Sequence, residues 1–144
     1  MVPAEIVARA LGDVMDHDLV PILAHPERYS SCSVHNVRVW REMGAVMQVD
    51  ATTLTASSRR GDRARDLVRA GMADILAADN HGDQRSIATG LEWLTENEGA
   101  DQAVLLLETN PRAILEDRAL YEVDPLPAQD SFWGRIARIF RSDD

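Results

Sequence analysis

A chain of 144 residues, 45% of them apolar, has the length of one domain and enough apolar side chains to bury a core. Aromatic residues are only 5%, so Ala, Val, Leu, Ile and Met must fill that core. The formal net charge of −9 disfavours non-specific nucleic-acid binding, while a local basic pocket for an anionic substrate stays open.

Cys32 is the single cysteine, so no intrachain disulfide can form. A reducing compartment fits, and a cytoplasmic location is expected. No apolar run reaches spanning length, and Met1 is not followed by a signal-peptide pattern. Within Ser30-Ser31-Cys32-Ser33, Cys32 reads as a small residue of a polar loop rather than a thiolate nucleophile, since no neighbour in sequence lowers its pKa.

Residues 3–16 predict a helix, with Ile6, Val7, Ala10, Leu11, Val14 and Met15 at helical spacing and Pro3 in the first turn. Asp16-His17-Asp18 is a polar turn, and His17 is a solvated turn residue at the far end of the strand that follows. That strand, 19–24, reads as buried and parallel, with Pro21 at its first residue. Pro26 stops it and pushes His25 towards an extended backbone.

A helix over 33–43 is capped by Ser33 and stopped by Gly44, with Val37, Trp40 and Met43 on one stripe and His35 solvated. A strand over 45–49 ends at Asp50, and a Thr/Ser-rich loop runs through Ser58. A helix over 60–71 buries Ala64, Leu67, Val68 and Met72, and a strand over 74–78 is broken by Asp79-Asn80-His81-Gly82. A helix over 85–97 should turn Ile87, Leu91 and Leu94 inward. Residues 101–109 predict another helix, and Pro111 starts a short one ending near Leu120.

The alternation of strands and helices predicts an α/β fold with a parallel sheet and right-handed crossovers. Pro125 and Pro127 mark residues 121–130 as a linker between a domain at 1–120 and a tail at 131–144. In that tail Phe132, Trp133, Ile136, Ile139 and Phe140 oppose Arg135, Arg138 and Arg141. Such a helix either lies peripherally on an anionic membrane or folds back on the domain.

Ligands collect at the carboxyl ends of parallel strands, and two such ends carry chemistry here. One offers His25 with Arg28; the other offers Asp79 and His81. Residues two apart at a strand end point the same way, so Asp79 and His81 can converge on one centre. Imidazole and carboxylate donors suit zinc, manganese or iron. Arg28 and Arg85 each follow a candidate ligand by three or four residues, and guanidinium forks grip phosphate. Metal plus arginine suits phosphoester hydrolysis. The bland alternative is that the arginines pair with acidic neighbours, Glu27 or Asp50 in the case of Arg28.

The run Pro21-Ile22-Leu23-Ala24-His25-Pro26-Glu27-Arg28-Tyr29 resembles the signature of bacterial PHP-superfamily protein-tyrosine phosphatases. Gln48-Val49-Asp50 resembles the family's Gln-x-Asn strand ending, and Leu76-Ala77-Ala78-Asp79-Asn80-His81 its Ser-Asp-Ala-His turn, followed by Arg85. Glu108-Thr109-Asn110-Pro111 resembles its Glu-Asn-Pro stretch with one residue inserted. The resemblance covers roughly residues 5 to 118. It implies a distorted β/α barrel with the site at the strands' carboxyl ends. It further implies His25, Asp79 and His81 as metal ligands, Arg28 and Arg85 as phosphate binders, and manganese as the divalent metal. The implied substrate is a phosphotyrosine protein, a bacterial tyrosine kinase controlling capsule and exopolysaccharide synthesis.

The departures carry as much weight. Family members begin with a His-x-His strand, and this chain has no His-x-His. It reads as the later part of a family member, a partial barrel with the first strands absent, and the Asp79-to-Arg85 loop is a residue shorter than usual. An open strand edge beside residues 19–24 is then expected to be covered by a homodimer or a separate partner. Three function readings follow: a metal-dependent phosphotyrosine phosphatase, a non-catalytic remnant that docks the kinase or a synthesis complex, and another PHP phosphoesterase of the histidinol-phosphate type. Glu27 has no role in these beyond pairing with a neighbouring cation.

Overall fold

The sheet is built on Val46–Asp50 (β2), whose Met47 and Val49 are buried completely and which carries a parallel strand on each side. The computed structural model describes residues 2–128. On one side Ile22–Ala24 (β1) pairs Ile22 with Val46; on the other Ile75–Ala77 (β3) pairs Gln48 with Ile75. The order β1-β2-β3, linked by helices, is the expected parallel α/β arrangement.

The helices begin where the sequence marks them. Ser33 caps Val34–Glu42 (α2), following Ala4–Met15 (α1), by accepting from the Asn36 N–H at 3.2 Å. Gly44 ends that helix at φ 113°, a conformation that only glycine adopts freely. Ser58 caps Arg59–Arg69 (α3) through the Gly61 N–H at 3.1 Å. A Cβ on Gly61 would stand 2.1 Å from the Ala56 carbonyl, so α3 can seat against the Ala51–Thr55 3-10 turn only with glycine there.

Several expectations are corrected. The strand over 19–24 is not buried: Leu19 and Val20 lie outside β1, and Ile22 is exposed, because β1 is an edge strand. On α1, Val7 and Leu11 are buried while Ile6 and Val14 face out. The helix expected from 85 starts at Ala88 and runs to Glu96 (α4), since Ser86 and the side chains of Asn80 and Asp83 hold the preceding turn. Its inward face is Gly90, Trp93 and Leu94, with Ile87 and Leu91 exposed.

Residues 100–115 form one helical run rather than two helices. Ala100–Val104 (α5) widens into a π turn, Leu105–Thr109, and continues as Asn110–Leu115 (α6). A helix absorbs an inserted residue as such a turn, and the turn also relieves the clash of the Pro111 ring with the carbonyl four residues back. The register it preserves points the buried Asn110 side chain at the Asp74 carbonyl (3.0 Å) and at both backbone groups of Tyr121. Beyond it, Val123 and Leu126 of the stretch expected as a linker are buried in the core, and the Leu126 N–H donates to Arg69. The expected tail helix at 131–144 lies outside the described residues.

Candidate metal and phosphate site

All three strands end at one rim. His25 follows β1, Asp50 closes β2, and Asp79 follows β3 by two residues. One donor atom from each lies within 4.8 Å of the others, close enough to share a single cation. Neutral imidazole nitrogen and carboxylate oxygen form the donor set of a zinc, manganese or iron site.

The backbone is strained there. His25 sits at φ 53° and Asp79 at φ 47°, both in the left-handed region. This corrects the expectation that Pro26 would hold His25 extended. Strain of this kind costs about 1–3 kcal/mol per residue and persists where surrounding structure enforces it. At His25 the enforcing contacts are its N–H on the Gln48 carbonyl (2.7 Å) and its carbonyl on the Arg28 N–H (2.9 Å).

Asp79 is the hub. Its Oδ1 meets His25 Nε2 at 3.2 Å and His81 Nε2 at 3.1 Å. Its Oδ2 meets Arg28 Nη2 at 2.5 Å and Arg85 Nη1 at 3.2 Å. Partial burial works to raise the Asp79 pKa, but His25, His81 and Arg28 overcome it and hold the carboxyl below its ordinary value. The other four residues expected at the site, His25, His81, Arg28 and Arg85, therefore all reach the Asp79 carboxylate. The route differs from strand alternation: β3 ends at Ala77, and a turn pinned by Asn80 and Asp83 brings His81 back. His81 is 74% exposed and stands outside the three-donor group. Arg28 pairs with Asp79, not with Glu27 or Asp50.

Asp50 and Arg60 were missed in the sequence. Asp50 Oδ1 accepts from the Thr52 N–H (2.9 Å) and hydroxyl (2.6 Å), and its Oδ2 accepts from Arg60 (2.9 Å). The same strand-end logic that selected His25 would have selected Asp50. Arg60 had no such signal, because it reaches the rim from α3. Its guanidinium is the cation beside Glu27, 3.4 Å from Oε1. Glu27 is fully buried, and burial pushes its pKa up against the pull of its backbone bonds and Arg60. Glu27 Oε2, His25 Nδ1 and Arg60 Nε are buried without a partner among the described residues. Unpaired buried polar atoms collected at one place mark a site rather than a scaffold.

Cys32 lies in the loop ahead of α2, as expected, and is buried there; burial and the nearby Glu27 charge push its thiol up to about 12, which argues against a thiolate nucleophile. Among the described residues no helix is long and apolar enough to cross a membrane.

No curated protein matches this chain. Among solved structures, one from the crystal structures of YwqE from Bacillus subtilis and CpsB from Streptococcus pneumoniae, described as unique metal-dependent tyrosine phosphatases, superimposes with a TM-score of 0.73 at 20% identity. The match covers 90% of this chain and 55% of that one, so this chain spans about half its length and shares a partial PHP-type fold. The family model for capsular polysaccharide synthesis, CpsB/CapC, matches residues 2–116, and the chain belongs to that family.

Proposed function

We propose that this chain is a metal-dependent phosphatase of the PHP type acting on phosphotyrosine in proteins. Its substrate would be a bacterial tyrosine kinase that governs capsule or exopolysaccharide synthesis in the cytoplasm. The observation that carries the reading is the convergence of two imidazoles and two guanidiniums on Asp79, with Asp50 alongside.

His25, Asp79 and His81 would hold a divalent metal, manganese by the resemblance, with Asp50 as a further carboxylate donor. Such a metal supplies hydroxide at neutral pH and polarises a phosphoryl oxygen. Arg28 and Arg85 are placed to take the phosphate oxygens. Both now rest on Asp79 Oδ2, and a dianionic phosphate at the rim offers them equivalent acceptors. Arg60 and Thr52 hold the Asp50 carboxylate in place.

One observation favours a second reading, a non-catalytic docking module. Both Asp50 oxygens are already bonded within the protein, which leaves a lean donor set among the described residues. Titration calorimetry with manganese, followed by a phosphotyrosine-peptide assay, separates the two. Metal binding with release of phosphate, abolished by Asp79→Asn, is the expected result. Neither binding nor turnover in the wild type would overturn the phosphatase reading in favour of docking.

A further inference from the structure

Arg60 is shared between two carboxylates and fully engages neither. Its Nη2 donates to Asp50 Oδ2 at 2.9 Å and lies 3.4 Å from Glu27 Oε1. The neighbouring donor of the same guanidinium, Nε, is buried without a partner among the described residues, and so is the second oxygen of Glu27, Oε2. Nε and Nη2 together form a fork that takes both oxygens of one carboxylate. A donor and an acceptor thus stand unused on two side chains that already meet through their other atoms. One closed fork from Arg60 to Glu27 would satisfy both, yet Nη2 makes its shorter bond to Asp50.

Both carboxylates have other anchors, while Arg60 is half-buried. Arg63, one turn further along α3, donates to the Glu27 carbonyl at 2.8 Å. Thr52 binds Asp50 Oδ1 through its N–H and its hydroxyl. With Oδ1 tied into the 3-10 turn, Oδ2 is the oxygen that Asp50 can offer to a cation, and that oxygen carries Arg60. A guanidinium and a divalent cation on one oxygen repel each other. The buried Glu27 carboxylate, already in reach of Nη2, gives the guanidinium somewhere else to lie.

We propose that Arg60 is a positioning residue that moves between Asp50 and Glu27: it lies on Asp50 in this structure and closes a two-bond fork on Glu27 when Asp50 serves a cation. Glu27 thereby gains a role, as the receiver of a guanidinium that otherwise holds a donor oxygen. The exchange rests on the metal-dependent reading above, and it returns that Asp50 oxygen to the site.

Titration calorimetry with manganese on the full chain, with circular dichroism to check folding, tests it. Glu27→Gln keeps the size of the side chain but removes the charge that receives the guanidinium. Arg60 then stays on Asp50, and manganese affinity falls about tenfold. Adding Arg60→Met to Glu27→Gln removes the competitor as well as its receiver. Thr52 still orients Asp50, and most of the lost affinity returns. A Glu27 that merely props the site would give the opposite, a double variant at least as weak as the single one. Glu27→Gln binding manganese like the wild type overturns the exchange and leaves the phosphatase reading standing; so does a double variant that recovers nothing. A wild type that binds no manganese removes both. Wild-type crystals soaked in manganese decide it even where a variant fails to fold. Arg60 Nε and Nη2 on the two Glu27 oxygens is the expected result, and Arg60 still on Asp50 overturns the exchange.

Discussion

At the amino end of the sheet, Asp74 accepts from Arg41 through both oxygens, at 2.7 and 3.3 Å, and from the Met47 N–H at 2.8 Å. Its own backbone carbonyl takes the Asn110 amide. At the carboxyl end, Asp79 is crowded by four cationic or cation-capable groups, two residues hold left-handed backbone, and His25 Nδ1, Glu27 Oε2 and Arg60 Nε are buried without a partner among the described residues. Both ends use carboxylates and arginines. One end satisfies its polar groups and fastens β2 to β3 and α2; the other leaves strain and unspent donors where a ligand would meet them. Ion pairs alone do not distinguish scaffold from site; the orphaned atoms and the strained backbone do.

Substitutions at the two ends should therefore fail differently. Asp74→Ala strips the half-buried Arg41 of its carboxylate, leaving it only the Gly71 carbonyl and the Met72 sulfur, leaves the Met47 N–H without a partner, and should cost about 3–5 kcal/mol in urea unfolding. A loss under about 1 kcal/mol would show that the clamp is dispensable and erase the contrast. At the other end His25→Ala should lower manganese affinity more than about a hundredfold, beyond the usual effect of removing a supporting group, with little change in the unfolding midpoint. His81→Ala should cost less, about tenfold, because His81 is 74% exposed and outside the three-donor group. Equal losses from both would place His81 among the essential donors.

The smallest effect concerns Glu27. Burial raises its pKa in the folded state above the ordinary 4.5. The folded state thus holds this proton more tightly than the unfolded chain does. Its contribution to stability is fully present below pH 4.5 and is lost as pH rises through the folded value. Compared with Glu27→Gln, the wild type should lose stability as pH climbs from 4 towards neutrality in paired denaturation curves at stepped pH. Parallel curves would mean that Arg60 fully offsets the buried charge.

Much of this was legible beforehand. Apolar runs bounded by Pro26, Asp50 and Asp79 located the three strand ends, and serine caps with glycine stops located α2 and α3. The meeting of His25, Asp79, His81, Arg28 and Arg85 followed from strand ends sharing one rim. What pattern could not carry was lateral position. Periodicity reads Ile22, Ile87 and Leu91 as buried, since an apolar residue on an edge strand or outer helix face looks the same in sequence as one in the core. Arg60 was hidden for a related reason: it reaches Asp50 across the fold from the first turn of α3, and nothing local in an arginine-rich stretch selects it. The left-handed backbone at His25 arises from hydrogen bonds to β2 and to Arg28, not from its proline neighbour.

The central claim is that the three strand ends gather donors for one cation. Anomalous diffraction from crystals soaked in manganese tests it most directly. The account predicts a single peak in coordinating contact with His25 Nε2 and an Asp79 oxygen, with Arg28 and Arg85 drawn off that carboxylate. A peak elsewhere on the molecule, or none at saturating manganese, would contradict it.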